Sequence, residues 1–320
     1  MIDFSREMPI EGDLDVRWIH GAPPAKHSAD AAIQVHWYDE HTVILRQSKA
    51  VNFEGPFLYL LFGNHRALLL DTGATADPEL FPLRQTVDGL ISDWLSAHPR
   101  TSYDLVVAHT HAHGDHVAAD GQFVDRQDTT VAGKDLQDVQ AFFGFTAWPE
   151  EVVKFDLGGR ILEISGIPGH HETSIAIFDA WTGFLLTGDS VYPGRLYARD
   201  FPQFQASMER LVSFAAARPI THVMGCHIEM TSRPGRDYPL GATYQPDEPP
   251  LQMAVAQLTA VRDAARAVNH RPGIHAFDDF IIWNGTCKRQ LPGQIRRAFL
   301  YRISLRYRAL LARLPPRTRS

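Results

Sequence analysis

The chain has 320 residues, 44% of them hydrophobic and 21% charged, a globular composition long enough to bury a core without disulfide or metal staples. Two cysteines, Cys226 and Cys287, exclude a disulfide framework and nothing requires them to pair, while no run approaches the roughly 18 apolar residues of a spanning helix. Net charge is −6, yet from Lys288 onward there are ten basic residues and no acid, leaving 21 basic and 37 acidic residues elsewhere; an acidic body argues against an extended nucleic-acid surface.

The start, "MIDFSREMPIEGD", is acidic and polar, without the basic and apolar regions of a signal peptide, so the expected location is the cytoplasm. Residues 31–47 and 55–74 read as strands with a turn at Gly63-Asn64. The apolar run "LLLDTG" stops at Asp71. Residues 77–98 carry a helical period, with Leu83, Val87, Leu90, Ile91 and Leu95 on one face. "YDLVVAHTHAHGDH" is a short buried strand running into a histidine cluster. A strand at 129–133 and a helix at 134–145 follow. Residues 152–170 and 174–190 are hairpins turning at Gly158-Gly159 and near Thr182-Gly183. A helix at 204–218 leads to a last strand, "THVMGCH". Strands and helices alternate and several strands end in His or Asp, the layout of a layered α/β domain with a site along one sheet edge.

Residues 231–250 hold five prolines and two glycines and read as a loop, longer than mere connection needs. Its Arg233, Arg236, Tyr238 and Tyr244 could wall or lid the site. Residues 249–268 read as one helix, with Pro-Pro at its start. Residues 292–314 read as one basic amphipathic helix striped by Phe299, Ile303, Tyr307, Leu310 and Leu314. It suits packing on the core, an anionic membrane surface or an oligomer contact; oligomeric state is left open.

The cluster is best framed as His111-x-His113-x-Asp115-His116. Histidines two apart leaving a strand project to one side and can grip one ion. Asp115 and His116, at the following turn, can reach a second. Imidazole with carboxylate suits zinc, and also iron, manganese or cobalt. Four ligands do not fill two sites, so more are required at later strand ends. They occur as His170 in "GIPGHHETS", Asp189 in "LLTGDS" and His227 in "VMGCH", each delivered through a small-residue turn. His109 reads as a packed or capped histidine, Cys226 as a small buried residue, and His222, His270 and His275 as ordinary histidines. Adjacent extended residues point apart, so only one of His170 and His171 should face the ions.

In this order, and with Asp71 in "LLLDTG", the motifs resemble those of the metallo-β-lactamase-fold hydrolase superfamily over roughly residues 40–230. That resemblance implies a four-layer αββα sandwich over residues 1–230, with the loop and a helical extension, 231–320, packed on it. It implies one metal on His111, His113 and His170, a second on Asp115, His116 and His227, and Asp189 bridging them. Asp71 would fix a ligand's orientation by hydrogen bonding. Two divalent ions, zinc first and iron or manganese next, would activate a bridging hydroxide, with Asp115 orienting it and shuttling its proton. A bridging Asp189 is typical of glyoxalase II-type thioesterases, lactonases and phosphodiesterases. Lactonases use a tyrosine near this point, which makes Tyr192 and Tyr197 candidate donors to a small-molecule substrate; packing is the equal alternative. Two departures stand out: "GHHETS" replaces "GHTPGS", and Cys226 separates Gly225 from His227. No glutathione-binding Lys/Arg pattern is visible. The expected activity is therefore hydrolysis of an ester, thioester or lactone, with phosphodiester hydrolysis and a non-catalytic metal sensor as alternatives.

Overall fold

The computed structural model describes residues 1–6, 8–23, 29–285 and 290–311, with side chains to residue 307. Cys287, Lys288 and Leu314 lie outside these residues, as does the side chain of Leu310. The first sheet runs β1 (Ile33–Asp39), β2 (Thr42–Gln47), β3 (Phe57–Phe62), β4 (Arg66–Leu70), β5 (Asp104–Ala108) and β6 (Thr129–Val131), in chain order. It is antiparallel through β4 and parallel from β4 to β6. Helix α1 (Leu83–Ala97) covers one face; α2 (Gly114–Val117) and α3 (Leu136–Phe143) follow β5 and β6. The second sheet contains β7 (Val152–Asp156), β8 (Ile161–Gly166), β9 (Ile175–Asp179) and β10 (Phe184–Gly188). Beyond β10 come β12 (His222–Gly225) and, at the edge, β13 (Gln252–Met253). Between β10 and β12 in sequence are β11 (Arg195–Ala198) and α4 (Phe201–Ala216). After β13 come α5 (Val255–Ala267), β14 (Gly273–Ala276), β15 (Ile281–Asn284) and α6 (Leu291–Leu311). A small third sheet has the order β11-β15-β14.

The period of two along each strand builds three apolar layers. Ile44, Tyr59, Leu61, Leu68 and Val106 point into the gap between the sheets, where they meet Leu162, Ile164, Ile177 and Leu186. Their neighbours Val43, Leu45, Leu58, Leu60 and Leu69 face Leu83, Val87, Leu90 and Ile91 of α1. Across the molecule Phe178, Leu185 and Val223 face Phe204, Met208 and Leu211 of α4 and Leu258 and Val261 of α5. The architecture is therefore αββα. Its inner strands are buried on both faces, which is why β3 reads as an unbroken apolar run, while the equally buried β2 also carries Arg46 and Gln47.

Several elements depart from the sequence reading. Helix α1 starts six residues later than its periodicity suggests, and its buried face ends on Trp94 rather than on the half-buried Leu95. The stretch expected as one helix over 249–268 begins as strand β13, because Leu251 and Met253 alternate into the core beside β12. Strands β11, β14 and β15 were not anticipated, so the segment beyond residue 230 supplies strands as well as a loop and helices.

One buried ion pair ties the sheets together. Arg160 donates to both carboxylate oxygens of Asp179 on the second sheet, at 3.1 and 2.6 Å. It also donates to the carbonyls of His41 and Phe62 and to Thr42 Oγ1 on the first. Both residues are 1% exposed. Asp179→Ala strands that guanidinium in the core, so it is expected to cost about 3–5 kcal/mol of stability in urea unfolding. A loss below about 1 kcal/mol would mean that the sheets hold together without it.

Candidate metal centre

The parallel strands β4, β5, β10 and β12 all end at one edge of the sandwich, where the chain leaves the sheets and side chains are free to converge. Asp71 follows β4, residues 109–116 follow β5, Asp189 follows β10 and His227 follows β12 by two residues. His170 arrives from the loop after β8 through Gly169, at φ 137°, where a Cβ would lie 2.4 Å from the Phe204 backbone. Gly188, at φ 52°, lets Asp189 turn in beside Thr110, 2.7 Å from where a Cβ would sit. Only glycine suits such positions.

Of the four groups of possible metal-binding atoms among the described residues, two meet in this cluster, each within a 4.8 Å span: His111, His113 and His170, and Asp115, His116, Asp189 and His227; a separate one, Glu40, His41 and His98, includes the exposed Glu40. In the first, His113 Nδ1 lies 2.8 Å from His111 Nε2 and 3.0 Å from His170 Nε2. In the second, His116 Nε2 and His227 Nε2 are 3.4 Å apart. Asp115 Oδ2 stands 3.6 and 3.5 Å from these nitrogens, and Asp189 Oδ1 stands 3.5 and 3.4 Å from them. The other oxygen of Asp189 lies 3.7 Å from His170 Nε2, so this carboxylate faces both groups.

Hydrogen bonds behind the rings set their tautomers. His170 Nδ1 donates to the Tyr197 carbonyl, His116 Nδ1 to Asp71 and His227 Nδ1 to the Glu54 carbonyl, which turns each Nε2 toward the cluster. Asp71 is fully buried in a left-handed conformation, φ 69°. It accepts from Thr110 N and Oγ1, His116 Nδ1 and Cys226 Sγ. Burial pushes the Cys226 thiol up, so it stays a protonated donor. The fourth grouping, of Asp71, His116 and Cys226, thus uses its polar atoms internally.

Burial, with the neighbouring rings, holds His111 well below the usual histidine range, His113 down to about 3 and His170 down to about 4. Three neutral rings therefore converge with their nitrogens together. Burial acts against charge on His116 and His227 too, but there the carboxylates prevail. Asp71 and Asp189 raise His116 well above its ordinary value, and Asp189 and Asp115 raise His227 to about 9. Burial works against ionised Asp115, yet His227 and His116 bring it down to about 2. His113 Nε2 and Asp189 Oδ1 are buried with no hydrogen-bond partner. Converging neutral nitrogens, carboxylates and an unpartnered oxygen form a donor set that fits divalent cations.

His113, Asp115, His170, Asp189 and His227 line a cavity of about 810 Å³. Tyr192 and Tyr197 both border it, but they differ. The Tyr192 hydroxyl donates to the Arg195 carbonyl and to Glu229, and the residue is 1% exposed. Tyr197 Oη accepts from Arg195 Nε, which leaves its own O–H for the cavity. His109 is held by Asp120, 2.8 Å away, and His171 turns to Thr173. The proline-rich loop does form a wall, through Leu240, Gly241, Ala242 and Gln245 rather than Arg233, Arg236, Tyr238 and Tyr244. Sequence reasoning missed Thr110, Lys49, Glu54, Arg199 and the residues of α6 that border the cavity. Thr110 stands next to the histidine motif; no local motif marks the others.

An αββα sandwich that gathers five histidines and two aspartates at its strand ends defines a metal-binding scaffold with a candidate two-cation centre. The chain belongs to the metallo-beta-lactamase superfamily, whose description matches residues 52–262. A hydroxyacylglutathione hydrolase of Methylococcus capsulatus is 27% identical over 197 residues, 60% of this chain and 70% of that one. Another, of a Synechococcus species, is 27% identical over 161 residues, 49% of this chain and 61% of that one. The solved DIM-1 metallo-beta-lactamase exposed to ceftazidime covers 75% of this chain, and this chain covers 99% of it, at 13% identity and a TM-score of 0.50, a likeness of fold alone.

Proposed function

We propose that this chain is a dinuclear metal-dependent hydrolase of an ester, thioester or lactone. The observation that carries the reading is Asp189, whose two oxygens face two separate donor groups. His111, His113 and His170 would hold one cation and Asp115, His116 and His227 the other, with Asp189 facing both groups; zinc is the first choice of metal. When bound, such a pair lowers the pKa of water toward neutrality and polarises a carbonyl oxygen. Asp115, ionised and a quarter exposed to the cavity, orients the attacking water and carries its proton toward the leaving group. Tyr197 donates its hydroxyl proton to a substrate oxygen; Tyr192 holds Glu229 and the Arg195 backbone in place and donates nothing to substrate. The hydroxyacylglutathione hydrolases at 27% identity support a thioester as the first substrate to try.

The test is metal content per chain together with a panel of thioester, lactone, aryl ester, bis-aryl phosphodiester and β-lactam. About two divalent ions and chelator-sensitive turnover of a carbonyl substrate are expected. Turnover of the phosphodiester alone replaces this reading with phosphodiesterase activity, and chains that take up no metal remove the ligand assignment. Calorimetry of metal binding supplies a readout independent of turnover. His227, near 9, and His116, also raised well above its ordinary value by Asp71 and Asp189, hold protons at neutral pH that an incoming cation must displace. Affinity should therefore rise with pH toward about 9, with protons released to the buffer.

A further inference from the structure

Helix α6 has two unlike faces. Residues Arg297, Tyr301 and Leu305, four apart, seat it on the body: Arg297 donates to Asp237 and Tyr301 to the Tyr244 carbonyl, and Leu305 is buried. The opposite face presents Phe299, Ile303 and Tyr307, again four apart, with Leu300 beside them; they are 62, 47, 62 and 53% exposed. A row of large apolar side chains facing outward is not what a solvated surface helix carries. The sequence of α6 holds five arginines and no acid. Among the described residues, Arg296, Arg302 and Arg306 have no acidic partner. Ile295, Ala298, Phe299 and Arg302 also border the metal cavity, so the outward face and the cavity mouth share an edge.

The geometry points to α6 as an interfacial helix that docks on an anionic lipid surface and holds the cavity mouth against it. Apolar side chains enter the acyl boundary while arginines meet the headgroups. No described helix is long and apolar enough to cross a membrane, so α6 lies on the surface. Pairing of two copies through this face would bring arginine against arginine with no acid on either helix. The charge balance also sets the orientation. With an excess of acids before Lys288, the rest of the molecule is repelled by anionic lipid, and only the α6 end approaches.

Co-sedimentation of the metal-loaded full-length chain with vesicles tests this without reference to turnover. Vesicles of equal parts phosphatidylglycerol and phosphatidylcholine should retain the protein, pure phosphatidylcholine should not, and added salt should release it. Arg296→Gln and Arg306→Gln should each weaken partition roughly fivefold. Combined Leu300→Ser, Ile303→Ser and Tyr307→Ser should abolish it with the melting temperature unchanged, since these residues face away from the body and do not border the cavity. Retention on neutral vesicles alike, retention by the triple variant, or failure of the parent chain to bind would each overturn the inference. So would a dimer in light scattering that the triple variant loses, which would make this face a self-interface.

Discussion

Asp115→Asn is expected to lower kcat by about 10²–10⁴-fold, the range for removing a positioned general acid–base group, while leaving the fold and most of the metal in place. Among the acids of its group Asp115 is the more open, with its side chain 25% exposed against 9% for Asp189. It sits in the first turn of α2, ahead of the buried His116. Its low pKa keeps it an anion at any pH where the histidines are intact. Asparagine keeps the shape and one donor oxygen but cannot take up a proton. The loss should therefore appear in kcat at matched metal content, with KM little changed. A kcat within about threefold of the parent would remove Asp115 from proton transfer. Equal loss in metal uptake would instead make it a ligand and nothing more.

Asp71→Ala is expected to be the most damaging change that touches no proposed ligand position. The carboxylate accepts four hydrogen bonds at a fully buried point, and one of them sets the ring of His116. Its loss should weaken metal binding by about 10–100-fold, as for other outer partners of ligating histidines. It should also cost about 3–5 kcal/mol of stability, because four donors, among them the buried Thr110 N–H and His116 Nδ1–H, are left without their acceptor. Asp71→Asn is the informative companion, since asparagine tolerates φ 69°. With the backbone spared, a surviving fold and weakened metal uptake would locate the role in the acceptor oxygens. Thermal melts and competition with a chromogenic chelator measure both. Metal affinity equal to the parent in both variants would show that Asp71 does not orient His116.

The residues gathered at the centre were legible because each is tied to a local pattern. An apolar strand, a small residue and then His or Asp is a signal carried within about ten positions. It marked His111, His113, Asp115, His116, His170, Asp189 and His227 before any packing was known. The two-residue period of the strands and the helical period of 83–97 report burial in the same way, through the geometry of one segment. Several short elements failed this test, although β6 and β12, of three and four residues, were legible. Strand β13 spans two residues and β11, β14 and β15 four each, too few for a period to show, and β13 hid inside an alanine-rich run that favours helix.

What the sequence determined by itself was thus the ladder of strands and the order in which they deliver chemistry-bearing side chains. Both are set by steric and hydrophobic preferences acting between near neighbours. Only the tertiary structure separated the two tyrosines, because Glu229, 37 residues along the chain, takes up the Tyr192 hydroxyl and also holds Arg195, whose Nε donates to Tyr197 Oη. It alone placed Arg160 between the sheets and brought α6, more than a hundred residues beyond most of the histidines, to the rim of their cavity. Such contacts depend on how whole layers stack, and layer stacking is fixed by summed burial over the molecule rather than by any one stretch of chain.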